Sequence, residues 1–190
     1  MNEINIEVQL NKFNNSNYQI GKNAFVRVLW YFTNLLIFNS SWLPDKFMKA
    51  SVLKLFGANI GKGVVIKPLV NIKYPWKLSI GDYTWIGEGV WIDNLDQVSI
   101  GANCCISQGA MLLCGNHDYT KPTFDLVTKP ITLENGVWIG AKAVVLPGTI
   151  AKSHAMLSVA SVSPKIMESY TIYQGNPGIE IRKRNMVSST

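Results

Sequence analysis

The sequence predicts an all-β-dominated fold. Short parallel strands wind into a three-sided solenoid, with an N-terminal helical segment and a short C-terminal tail. Three observations carry this. An aliphatic residue recurs every six positions, a small or β-branched residue recurs four positions after it, and glycine often follows it directly. Period six is too short for a helix pair and too long for simple strand alternation. It suits a prism in which each hexad forms one flat face.

The aliphatic series runs Ile60, Ile66, Ile72, then Ile80, Ile86, Ile92, then Ile100, Ile106, Leu112, and resumes at Leu133, Ile139, Val145, Ala151, Leu157. Thirteen of these 14 positions are Ile, Leu or Val, which make up 51 of the 190 residues, so chance would place about four there. The small or β-branched set includes Val70, Thr84, Cys104, Ala143 and Ser161. Glycine follows the aliphatic residue at Gly61, Gly81, Gly87, Gly101 and Gly140, where it relieves crowding at the turn. The starts Ile60, Ile80 and Ile100 lie 20 residues apart, so three faces and two extra residues make a coil. A parallel sheet with crossover helices would need about ten residues or more of helix between strands. The stretch 60–112 is too rich in Gly and β-branched residues for that.

Residues 1–57 lack the period and form an N-terminal extension with apolar helices. The solenoid occupies 58–164 with an excursion loop at 113–132, and 165–190 form a basic tail. Ala24 to Phe38 reads as a very apolar helix. Leu43 to Phe56 reads as a second, with Pro44 in its first turn, Gly57 past its end, and Lys46, Lys49 and Lys54 on its polar side. These helices either cap the open end of the prism, contact another subunit, or lie on a membrane surface, which Trp30, Tyr31, Trp42 and the lysines would suit. The apolar stretch 24–38 is too short to cross a bilayer.

The net charge of +6 is spread out, apart from Arg182, Lys183 and Arg184. It lacks the basic stripe with interleaved aromatics of a nucleic-acid binder. It suits a small anionic ligand or an anionic membrane surface. Cys104, Cys105 and Cys114 fit neither a disulfide framework nor a zinc spacing, and no basic region precedes an apolar run at the N-terminus. A cytoplasmic location is the expectation, with or without association to the inner face of the membrane.

His117 stands where the chain leaves a rigid scaffold, and its imidazole suits a general base. Asp118 either orients His117 or is a solvated loop residue. His154 reads as a solvated turn residue and Cys104 as core. With His117 and His154 the only histidines, a three-histidine metal centre of the carbonic-anhydrase kind is excluded, and no metal is required.

VSIGANCCISQGAMLLCGNHDY (Val98 to Tyr119) and ITLENGVWIGAKAVVLPG (Ile131 to Gly148) resemble the hexapeptide-repeat sugar O-acetyltransferases. FGANIGKGVVIKP (Phe56 to Pro68), YPWKLSIGDYTWIGEGVWI (Tyr74 to Ile92) and Gly175-Asn-Pro177 followed by basic residues are similar to acetyltransferases of colanic-acid-type exopolysaccharide biosynthesis. The resemblance spans residues 20–184. It implies a left-handed parallel β-helix and a homotrimer with active sites between subunits. It implies direct acetyl transfer from acetyl-CoA to a hydroxyl of a sugar or exopolysaccharide repeat unit, with His117 as base. Trp138, Ala141, Ala160, Lys165 and Arg182 fall on the donor site. Asp93, Asn94, Asp118, Tyr119 and Phe124 fall near the acceptor, a free sugar or a lipid-linked glycan. The sequence departs from the family's pattern at Ala151, Lys152 and Ser158, which bears on the shape of the last coils. The alternative is a non-catalytic β-helix scaffold or binding module.

Overall fold

A computed structural model describes residues 6–43 and 48–187. Asn23 opens helix α1 (Ala24–Thr33), its side chain accepting from the Val26 N–H at 3.0 Å. The helix continues into a π-helical turn, Asn34–Phe38. Among the described residues helix α2 covers Lys49–Leu55, and Met48 before it holds φ +36°. Pro44 and Lys46 lie outside the described residues. Lys49 is not on a polar face: it is buried and donates to the Lys67 carbonyl at 3.1 Å.

The first coil contains β1 (Asn59–Ile60), β2 (Val65–Ile66) and β3 (Asn71–Ile72). The second contains β4 (Leu78–Ile80), β5 (Trp85–Ile86) and β6 (Trp91–Asp93), and the third β7 (Val98–Ile100), β8 (Cys105–Ile106) and β9 (Met111–Leu113). The chain then leaves as a hairpin, β10 (Gly115–His117) against β11 (Leu126–Thr128). The fourth coil follows with β12 (Ile131–Leu133), β13 (Trp138–Ile139) and β14 (Val144–Val145). Then come β15 (Ile150–Ala151), β16 (Met156–Leu157), β17 (Ile166–Met167), β18 (Thr171–Gln174) and β19 (Ile179–Lys183).

Stacking gives three parallel sheets. The first face is β1-β4-β7-β12-β15-β17, the second β2-β5-β8-β13-β16-β18, and the third β3-β6-β9-β14. The register joins Ile60, Ile80, Ile100, Leu133 and Ala151 in one column. Ile66, Ile86, Ile106, Ile139 and Leu157 form a second, and Ile72, Ile92, Leu112 and Val145 a third. This is the period-six series of the sequence, now a buried ladder. Each fully buried Ile or Leu contributes about 1.5–3 kcal/mol. Thr84, Cys104, Ala110, Ala143 and Ala155 fill the corners beside it. A Cβ added at Gly81 would stand 2.5 Å from the Ala102 nitrogen one coil away, so glycine there is a condition of stacking.

The fold is therefore a left-handed parallel β-helix. It does not end at Pro164. Ile166 and Met167 pair with Ile150 and Ala151, and Ile172 and Tyr173 with Met156 and Leu157, adding coil beyond the expected boundary. The tail then doubles back, with β19 antiparallel to β18. The unusual Ala151 is fully buried in register, so the last coils stay regular. At the other end the N-terminal helices pack on the first coil. Trp30, Phe38 and Leu53 join the core formed by Ala58, Ile60 and Ile66, and the Trp30 indole donates to the Ile72 carbonyl at 3.0 Å.

Candidate active site

The third face runs through Leu113 into the hairpin, and β10 presents His117 half-buried at the edge where the third face would turn into the first. His117 Nδ1 lies 2.8 Å from the Phe124 carbonyl oxygen. A carbonyl only accepts, so Nδ1 carries the proton. In the neutral ring Nε2 then keeps its lone pair, the state a general base needs. The Phe124 ring stacks on the imidazole with centroids 4.4 Å apart and planes 9° apart, and Phe13 closes a third side at 6.0 Å. Phe124 itself holds φ +52°, a strained conformation for a bulky residue that its surroundings enforce.

Phe13 belongs to an N-terminal strap. Gln9 N–H donates to the Pro122 carbonyl at 2.7 Å, and the Tyr18 hydroxyl to the Leu95 carbonyl at 2.6 Å. The Lys77 ammonium donates to the Gln19 and Leu95 carbonyls, both at 2.7 Å, and burial pushes its pKa down. The strap thus ties hairpin, turn and second coil together around His117.

A separate groove lies on the second face. Trp138, Met156, Ser158, Gln174, Arg182 and Arg184 line it. The Trp138 indole donates to Ser107 Oγ at 2.9 Å, which holds the ring in place. Trp138 pairs with Met156, Met156 with Ile172, and Ile172 with Arg182. Three strand spacings place Arg182 about 14 Å along the stack from Trp138. Ala141 and Ala160 sit one above the other at the next corner, with the Ala160 N–H donating to the Ala141 carbonyl at 2.9 Å.

No protein-family model matches the chain. Escherichia coli (strain K12) WcaF, whose name assigns it to colanic acid biosynthesis as an acetyltransferase, is 37% identical over 166 residues. That match spans 86% of this chain and 90% of WcaF. The chain belongs to the hexapeptide-repeat acetyltransferases. The Escherichia coli galactoside O-acetyltransferase is 25% identical over 151 residues, 78% of this chain and 74% of that protein. A hexapeptide-repeat acetyltransferase of Vibrio cholerae superposes with a TM-score of 0.77 at 21% identity, covering 85% of this chain and 92% of that one.

Within this acetyltransferase the sequence-derived site residues separate. Trp138 and Arg182 share the second-face groove, with Ala141 and Ala160 beside it. Lys165 directly precedes β17 on the first face and is exposed there, away from that groove. Asp93 ends β6, one coil from Leu113, and pairs with Lys73 at 3.0 Å. It lines a groove with Arg27, Asn34, Tyr74 and Trp91.

Asn94 is corrected. It is fully buried, accepts from the Tyr74 N–H at 2.9 Å and donates to the Tyr74 and Lys77 carbonyls, so no hydrogen-bonding capacity faces an acceptor. Phe124 is committed to the His117 ring rather than to a sugar. The Asp118 carboxylate accepts from the Thr120 hydroxyl and N–H, which holds it below the usual range, and it makes no hydrogen bond to the imidazole. Tyr119 is exposed at the tip. His154 is no solvated residue: it stacks on Tyr170 at 4.6 Å. Phe13, Ser107 and the Phe124 carbonyl were missed. Only the hydrogen-bonding need of Trp138 hinted at Ser107.

Proposed function

We propose that this protein transfers an acetyl group from acetyl-CoA to a sugar hydroxyl. The observation that carries the reading is the fixed tautomer of His117, with Nδ1–H on the Phe124 carbonyl and Nε2 free. Nε2 takes the hydroxyl proton as the sugar oxygen bonds to the thioester carbonyl carbon. The carbon–sulfur bond then breaks, and the imidazolium returns the proton to the departing CoA sulfur. No covalent enzyme intermediate forms. The name of WcaF supports an exopolysaccharide repeat unit or a lipid-linked glycan as acceptor.

Trp138, Ala141, Ala160 and Arg182 hold the donor in this reading. The small alanines leave room for the pantetheine arm, and Arg182 meets the phosphates. Asp93 and Tyr119 contact the acceptor, and Asp118 shapes the turn that presents Tyr119.

His117 and the Trp138 groove occupy different edges of one prism. A homotrimer, with His117 of one copy facing the donor groove of the next, reconciles them. The location that suits this chemistry is the cytoplasm, where acetyl-CoA is made.

The decisive experiment is acetyl transfer by His117→Ala. We expect kcat/KM to fall about 10²–10⁴-fold, with thermal stabilisation by CoA retained. Undiminished transfer would falsify the base assignment. Absence of any CoA effect on melting would favour a scaffold.

A further inference from the structure

Among the described residues, nothing packs on one face of α1. Trp30, Ile37 and Phe38 point into the fold, and Asn34 binds Asn71 and the Ile72 N–H. The outward side carries Phe25, Val28, Leu29, Phe32 and Leu36, spaced as one helical stripe, and all five are exposed. Phe25 is 76% exposed. Trp42 and Leu55 extend the apolar surface, at 70% and 84% exposure. Scattered apolar residues on a surface need no explanation, but a contiguous patch marks a contact.

Charge selects the partner. From Ile20 to Phe56 the sequence carries Lys22, Arg27, Lys46 and Lys54, besides the buried Lys49, against a single acid, Asp45. Lys22 and Lys54 are exposed beside the apolar residues. Two copies meeting through this face would bring like charges together. An anionic lipid surface instead meets the cations and accepts the stripe, with Tyr31 and Trp42 suited to the headgroup level. The helical run Ala24 to Phe38 is about 22 Å long, shorter than the about 30 Å hydrocarbon core. Among the described residues no helix is long and apolar enough to cross a membrane.

We propose that α1 lies flat in the surface of an anionic phospholipid bilayer through Phe25, Val28, Leu29, Phe32 and Leu36, with Trp42 and Leu55 beside it. This deepens the acetyltransferase reading by placing the acceptor at a lipid surface. Vesicle binding is read without turnover, so the two can fail separately.

The test is cosedimentation of the full chain with phosphatidylglycerol vesicles and with phosphatidylcholine vesicles. We expect binding to the anionic vesicles that weakens with salt. The Phe25→Ser, Phe32→Ser double variant should lose at least tenfold in partition, with acetyl transfer to a soluble acceptor unchanged. Trp42→Ser serves as an independent variant in case the double variant misfolds. Equal partition of wild type and folded variants overturns the proposal. So does a changed oligomeric state with vesicle binding intact, which would assign the face to a second copy.

Discussion

The stacked coils and the hairpin that interrupts them are built on different principles. In the stack, each inward residue is replaced by its equivalent one coil on, and backbone approaches backbone so closely that Gly81 and Gly140 admit no Cβ. In the hairpin, two three-residue strands pair, and the rest depends on side chains. Phe124 sits on His117, Asp118 on Thr120, and Lys121 reaches Asp125 at 3.1 Å in solvent, where an ion pair contributes little. Repetition supplies rigidity, and the interruption carries the candidate base, His117. The strap lends the hairpin the order that its own few contacts lack.

Substitutions can break this contrast. The largest effect should come from Gly81→Val, which forces a Cβ against the next coil. We expect about 3 kcal/mol or more of lost stability by denaturant titration. A neutral result would mean the coils are not in close contact. Phe124→Ala should do the reverse, lowering kcat about tenfold through a looser imidazole while costing about 1 kcal/mol or less. Phe124→Tyr should restore the rate, because the stacking surface returns. A rate unchanged in Phe124→Ala would reduce the ring to packing.

The smallest effect lies at the junction. Cys114 is buried where the third coil becomes the hairpin, and burial pushes its thiol up to about 12 from 9.0. The unfolded chain therefore loses this proton first, and stability should fall as pH rises between those values. Cys114→Ala should flatten that alkaline loss in pH-dependent melts. An identical slope in both proteins would show that the thiol is not shielded.

The inward ladder was legible because each Ile at period six does one job wherever it stands. The extra coil at Met167 and Tyr173 was not, since the chain steps only four residues from Ser163 to Met167 and loses the phase of the series. The candidate base His117 could be picked out from its position at the break. Its partners could not, because Phe13 lies far away in the chain and the Phe124 contribution is a backbone carbonyl. Asn94 misled for a related reason. A polar residue beside Asp93 looks like a ligand contact until the turn at Tyr74 claims both ends of its amide.

Strand β19 runs against the direction of every strand in the second face and covers the outer edge of β18. A solenoid of identical layers is otherwise an invitation to add more of them, end on end, until a fibre forms. The reversed strand offers an incoming layer the wrong polarity, and α2 shields the opposite terminus. At the β19 end the second face is thereby closed to a further parallel layer.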